Sequence, residues 1–528
     1  MRAAIAVAVL LTGCLGSLED ASVLRPGPLE REGATRPSVC APSARDVAGP
    51  RLLRRLSRDE LEASVRAVFD LDEATWSGPI VPPDPASADG YTNHADLLRV
   101  NEAYATQLRD TAERVGQLVA ARSPCADPAC VDAFLDAAGR RAYRRPLTEV
   151  ERGRYRDLAA ASGDDAIRWI TAALIQSPHF LYRSELGVED GRAATLDGYE
   201  LATSLAFLLT GAPPTDALLD RAGELTDRDA RRAIATELAF DEAGQPRPAF
   251  RAQVMRFARG WLGLAALDNL GKSPDRFPTW SPEVRAALRR EVDAYLERVL
   301  LEERGDVRAL LTSATTELDP VLVTYYGWGT AGRNERPPDW GVGVLALGGV
   351  LAVGATNVAT SPTQRGHFVR TRVLCDTIDP PPPNIPQIPE PTGAETTRER
   401  YERLHAGDPF CQGCHRLMDP IGFGFEHLDA AGRFRDLDNG FPIDDSGAIE
   451  ELDETPGRGF EGPAQLADLL ADDPAAARCV GSFGASFAYG LSREDTECLA
   501  SSTLEAEGPL VDLFVELVAT PHFERRAL

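Results

Sequence analysis

The run Cys411-Gln412-Gly413-Cys414-His415 places two thiols three positions apart, with an imidazole directly after the second. On one turn of helix that spacing lets both thiols reach the vinyl groups of a haem and the imidazole reach its iron. Cys411 and Cys414 are therefore expected to form thioethers to haem c, with His415 as the proximal iron ligand. A disulfide, a thiol-redox pair and half of a zinc site also use C-x-x-C. Zinc needs two further Cys or His at a partner spacing, and no second C-x-x-C or H-x-x-x-H occurs in the chain. A thioredoxin-like pair sits in a βαβ setting, which the flanking residues lack. The sixth iron ligand stays open. Met418 lies three residues beyond His415, so on a continued helix it shares the proximal side and is poorly placed for the distal face. Met255 falls on an apolar helical stripe and reads as core packing. His405, just upstream, is able to fold back over the ring, and His367 and His427 are further alternatives. A five-coordinate iron is equally open and would bind a small ligand or peroxide.

Other chemistry finds little support. Asp436-Leu437-Asp438-Asn439-Gly440 has its glycine one place early for a calcium loop and no Glu at the twelfth position, so it reads as an Asx-rich turn. There is no G-x-S-x-G or H-E-x-x-H for hydrolysis. The glycines 341, 343, 348 and 349 match no phosphate-binding template. Whether the chain is an enzyme is left undecided.

Haem attachment to C-x-x-C-H takes place outside the cytoplasm, and the N-terminus fits that requirement. Arg2 precedes the apolar run Ala3 to Leu11, and Leu11-Thr12-Gly13-Cys14 follows, the form of a secretory leader ending in a lipobox. Residues 1–13 are expected to be removed and Cys14 to carry lipid. Leu15, where Asp would hold the protein at the inner membrane, points to an outer-membrane lipoprotein on the periplasmic or cell-surface side. The partners expected are the membrane, through that anchor, and a redox or surface protein. With 81 acidic against 56 basic residues and no Lys/Arg block, nucleic acid is excluded as a partner. Of nine cysteines, six remain after lipid and haem. Local pairing suggests Cys125–Cys130 and Cys479–Cys498, which leaves Cys40–Cys375.

The elements that position these residues read as mainly α. Ser57-Arg58-Asp59-Glu60 and Thr148-Glu149-Val150-Glu151 are capping boxes. Ser281-Pro282 opens a helix with Val284, Leu288, Val292, Tyr295 and Leu296 on one face. Between about 50 and 330 no sustained alternation marks a strand. The uncharged stretch Trp340 to Ala359 has the length of a membrane span, but its five glycines make it a buried core segment. A proline run from Asp379 to Pro391 is an extended connector, and a charged helix from Thr396 to His405 leads into the C-x-x-C-H. Turns at Asn439-Gly440 and Asp445-Ser446-Gly447 flank one short hairpin. Ser177-Pro178-His179-Phe180 is echoed by Thr520-Pro521-His522-Phe523, each closing an apolar helical stretch.

The residues from Cys411 through Arg416-Leu417-Met418-Asp419-Pro420-Ile421-Gly422-Phe423, with Glu426, Asp429, Gly432 and Arg435, resemble the planctomycete-type multi-module surface proteins. That family links domains of unknown function to a cytochrome-c-like C-x-x-C-H module. Leu53-Arg54-Arg55-Leu56, Arg141 to Thr148, Ser177 to Arg183 with Tyr199-Glu200-Leu201-Ala202, Thr360 to Gly366 with Leu374-Cys375, and Cys479 with Tyr489-Gly490 carry the likeness along the chain. Behind the signal peptide (1–13) and a polar tether (14–48), both read from the residues themselves, the resemblance implies an N-terminal helical module (49–121), a small helical module (122–165) and a large central one (166–335). A connector with the haem c module (336–436) and a C-terminal helical module (437–528) complete it. It also implies that His405 is the better distal candidate, since the family has His at that place, whereas His427 stands where Asn is usual. The resemblance implies no activity of its own; the haem motif and the export signal lead to the expectation of electron transfer or a redox accessory role in the envelope. The alternative is a surface protein that binds polysaccharide or protein, with Cys411–Cys414 as a structural disulfide.

Overall fold

The computed structural model describes residues 48–528 apart from 79, 124, 126, 192, 379–394, 406–408, 452–456 and 501–507. The leader, Cys14, the tether, Cys40 and the proline run lie outside the described residues. The rest is mainly helical, with a few short antiparallel strand pairs.

Strand β1 (Leu52–Arg55) leads into helix α1 (Arg58–Phe69), where Ser57 caps the Glu60 amide and Glu60 reaches back to the Ser57 amide. Helices α2 (Glu102–Arg122), α3 (Glu149–Ser162) and α4 (Ala166–Gln176) follow, with the second capping box in place at Thr148 and Glu151. Their apolar faces, among them Leu61, Val65, Leu108, Val115, Ile167 and Ile170, meet in one core that runs from Leu56 to Leu181 and reaches Phe207. The first two modules and the start of the third thus share one interior.

The chain then forms strands β2 (Tyr182–Glu185), β3 (Val188–Glu189) and β4 (Ala193–Thr195). Helix α5 (Gly198–Thr210) is buried continuously from Leu201 to Leu209, as a helix apolar on every side must be. Helix α6 (Pro282–Leu296) begins at the Ser281 cap with Pro at its first turn. Strands β5 (Thr315–Leu318) and β6 (Gly332–Glu335) pair across a loop. The apolar stretch from Trp340 folds as short helical pieces over Val344–Ala346 and Gly348–Val353, nearly all buried. Among the described residues no helix is long and apolar enough to cross a membrane.

Helices α7 (Pro362–Phe368), α8 (Thr397–His405) and α9 (Pro409–Phe423) surround the C-x-x-C-H. Strands β7 (Leu437–Asp438) and β8 (Phe441–Pro442) form the hairpin expected around Asn439-Gly440, both turn residues having positive φ, as a two-residue hairpin turn requires. Strands β9 (Ser446–Ile449) and β10 (Arg458–Glu461) pair next. Helix α10 (Pro474–Tyr489) and strand β11 (Arg525–Ala527) complete the set named here.

Several short pairings correct the strand-free reading of residues 50–330, β3 with β4 and β5 with β6 among them. Strand β1 pairs with β2, Leu52 opposite Glu185 and Arg55 opposite Tyr182, and β11 pairs with β4, Arg525 opposite Thr195. These strands have two to four residues, too few for alternation to register. The disulfides also need correction. Cys125–Cys130 is bonded, but Cys375 pairs with Cys479 across 104 residues. That bond replaces both Cys479–Cys498 and Cys40–Cys375, since α10 packs against the segment that follows α7 and brings the two thiols together.

Lys272 is the only lysine among the 528 residues and is buried. Its ammonium donates to the carbonyls of Ala352 at 2.9 Å, Ala355 at 3.4 Å and Thr356 at 2.8 Å, closing the C-terminal end of the helix Gly348–Val353. Burial, with the Arg365 guanidinium adding to it against the pull of Asp429, holds this amine down at about 7. A three-donor point charge fits three converging carbonyls in a way a planar guanidinium does not. Lys272→Met should cost about 1–3 kcal/mol through the carbonyls left unsatisfied, read as a fall in the urea midpoint. Lys272→Arg should not restore it.

Candidate functional site

Helix α7 is the platform on which α9 is built. Ser361 caps α7 by accepting from the Gln364 amide. Gly366 lies so close to α9 that a Cβ there would stand 1.8 Å from the Met418 carbonyl oxygen. In return, a Cβ at Gly422 of α9 would stand 2.0 Å from the Pro362 carbonyl oxygen. Only glycine permits backbones this near at both crossings. Arg365, buried, clamps the turn beyond α9 by donating to the carbonyls of Phe425 and Leu428 at 2.8 Å and Asp429 at 2.9 Å. Thr360 donates to the Glu426 carboxylate at 2.7 Å. The stretch from Thr360 to Gly366 is therefore spent on holding α9 in register.

On α9 the thiols of Cys411 and Cys414 are unbonded, the first residue half-buried and the second exposed. One turn on, Asp419 is buried and its carboxylate gathers three donors. His415 Nδ1 lies 3.2 Å from Oδ1 and 3.1 Å from Oδ2, Thr363 Oγ1 donates to Oδ1 at 2.5 Å, and His405 Nδ1 lies 2.7 Å from Oδ2. Burial alone would raise the Asp419 carboxyl, but the hydrogen bonds from His405, His415 and Thr363 outweigh it and hold it below the ordinary carboxylate range. An ionised carboxylate only accepts, so each imidazole donates to it from Nδ1, which leaves Nε2 outside this bonding.

The His405 ring stacks on His415, centroids 3.4 Å apart and planes 26° from parallel. Tyr401, whose hydroxyl donates to Ser361 Oγ at 3.4 Å, packs edge-on against His405 at 5.4 Å and seats α8 over the N-terminus of α7. His405 thus lies beside His415, both imidazoles turned toward Asp419 through Nδ1. Met418 is buried on α9 itself, and Met255 is buried in the central core. His427 Nδ1 donates to the Arg435 carbonyl at 2.9 Å and its ring stacks on Phe434. His367 lies exposed in the last turn of α7, its ring held below the usual imidazole range by partial desolvation and by the Arg372 charge.

Asp419 and Thr363 are the residues sequence reasoning missed. Asp419 follows His415 by four, the spacing that brings side chains together on a helix, so half of the pair was readable. Thr363 and the two glycines belong to motifs that mark the family without declaring their chemistry. The ligand atoms of His405, His415 and Asp419 all lie within 4.8 Å of one another, close enough to grip one metal ion.

Four family profiles match the chain in series, each described as a protein of unknown function: DUF1587 over residues 54–121, DUF1595 over 130–185, DUF1592 over 196–328 and DUF1588 over 342–438. The last contains the C-x-x-C-H. No curated protein and no solved structure matches.

Proposed function

We propose that this chain, a planctomycete-type multi-module protein of four linked domains of unknown function, is an exported lipoprotein that carries one haem c and passes electrons in the cell envelope. Cys411 and Cys414 would hold the haem covalently, and His415 would ligate its iron. The observation that carries this reading is the imidazole's orientation. Its Nδ1–H is engaged by Asp419, which leaves Nε2 for a metal, beside two free thiols on the same helix. Bound there, haem supplies a one-electron iron couple. Thr363 and Asp419 fix the tautomer and the ring, and the close α7–α9 contact keeps both from shifting as charge comes and goes.

Export is supported by the lipobox ending at Cys14 and by two disulfides in the folded chain, bonds that persist in oxidising compartments. The chain is to be expressed with its own leader beside a cytochrome c maturation system, and membranes separated by density. A haem-staining band at the mass of the chain in the outer-membrane fraction is expected. A stained band only in the soluble fraction contradicts the anchor.

A second reading rests on the His405–His415–Asp419 cluster: a site for a divalent metal, with Cys411 and Cys414 at its edge. A colourless protein that keeps one equivalent of metal through dialysis, and loses it in His405→Ala, favours that reading.

A further inference from the structure

We infer that Asp419 sets how strongly His415 donates to the iron, and that Thr363 and His405 moderate it by drawing on the same carboxylate. This rests on the haem reading. The carboxylate is shielded from water, where a charge-assisted bond to an imidazole N–H is stronger than in solvent. Drawing on the Nδ1 proton places more electron density on Nε2, makes the ring a better ligand, and favours iron(III) over iron(II).

The three donors compete unequally. Thr363 and His405 make the short bonds, 2.5 Å to Oδ1 and 2.7 Å to Oδ2. His415 takes longer ones at 3.2 and 3.1 Å on the same two oxygens, and Thr363 Oγ1 is a further, neutral acceptor 3.3 Å from the same Nδ1, so that losing the hydroxyl turns this N–H wholly to the carboxylate. Part of the carboxylate's charge is thus already committed, and removing either competitor frees it for His415. The residues have opposite signs of effect. Loss of the Asp419 charge weakens the His415 donor, whereas loss of the Thr363 hydroxyl or of the His405 Nδ1–H strengthens it. A purely structural role for the cluster moves all three variants one way, toward a looser site.

The test is made on haem-loaded full chain, whose pyridine haemochrome is measured first. Lack of haem there overturns the haem reading itself, not the tuning within it. With haem present, the midpoint potential is measured by spectroelectrochemistry. Asp419→Asn keeps the shape and an acceptor but removes the charge, and should raise the potential by at least about 59 mV, a tenfold shift of the iron(II)/iron(III) equilibrium. Thr363→Val and His405→Phe should lower it, and His405→Phe should leave the axial-ligand absorption bands unchanged. Should Asp419→Asn fail to fold, the two moderators still decide the matter. Potentials that stay at the wild-type value, or that rise in Thr363→Val and His405→Phe, overturn the inference. A change of spin state in His405→Phe overturns it as well, because it makes His405 a ligand.

Discussion

Glu185→Ala should lower the free energy of unfolding by about 3–5 kcal/mol, the usual cost of leaving buried cations without their anion. Glu185 is buried on β2, and its two carboxylate oxygens hold Arg183 at 3.1 Å and Arg526 at 2.8 Å. Arg183 also reaches Glu60 at 3.4 Å, and Arg54 approaches Glu60 at 3.9 Å. All five side chains are nearly sealed from water. Without Glu185, Arg54 and Arg183 share the single carboxylate of Glu60, and Arg526 loses the anion that ties β11 to β2. Burial pushes the Glu185 carboxyl up, but Arg526, Arg183 and Arg54 together outweigh it and hold it at about 2. Its folded value is therefore below its ordinary 4.5. The stability it contributes is present in full above that value and is lost as the pH falls from about 4.5 toward 2. Urea titrations at pH 7 and pH 3 should show the penalty of Glu185→Gln shrinking at the lower pH. A midpoint at pH 7 equal to the wild type's contradicts the network's role.

Gly366→Ala should cost about 3 kcal/mol, the upper end of what one inserted methyl costs in a close-packed contact. The added carbon meets a backbone oxygen at 1.8 Å, and neither α7 nor α9 can yield without parting. That movement pulls Thr363 from Asp419 and frees the imidazole it helps to hold. The expected result is a lower thermal midpoint together with a shifted haem absorption in the loaded protein. Gly413→Ala on the same helix meets nothing within 4 Å and should change neither, which separates the crossing from glycine's general flexibility.

What could be read beforehand was what is local. The caps at Ser57–Glu60 and Thr148–Glu151, the Ser281-Pro282 helix start and the Asn439-Gly440 hairpin depend on neighbours within a few positions. The same preference for short loops that favours Cys125–Cys130 misassigned Cys479, whose partner 104 residues away is chosen by how α10 packs. The echo of Ser177-Pro178-His179-Phe180 in Thr520-Pro521-His522-Phe523 reads, in the sequence, as two helix stops. Each copy does end in a short helix, but a strand follows, and the arginines at matching places, Arg183 and Arg526, converge on Glu185. Nothing in either segment alone reveals that meeting. At the site, Cys411, Cys414 and His415 were legible as a pattern. The stacking of His405 on His415 was not, because it depends on where Tyr401 and Ser361 seat α8.

The central claim is covalent haem on Cys411 and Cys414, and the pyridine haemochrome of the purified full chain, made with a cytochrome c maturation system, tests it most directly. A c-type spectrum at one haem per chain is predicted, surviving acid–acetone extraction and disappearing in Cys411→Ser/Cys414→Ser. A colourless wild-type protein, or a haem that extracts into acetone, contradicts it.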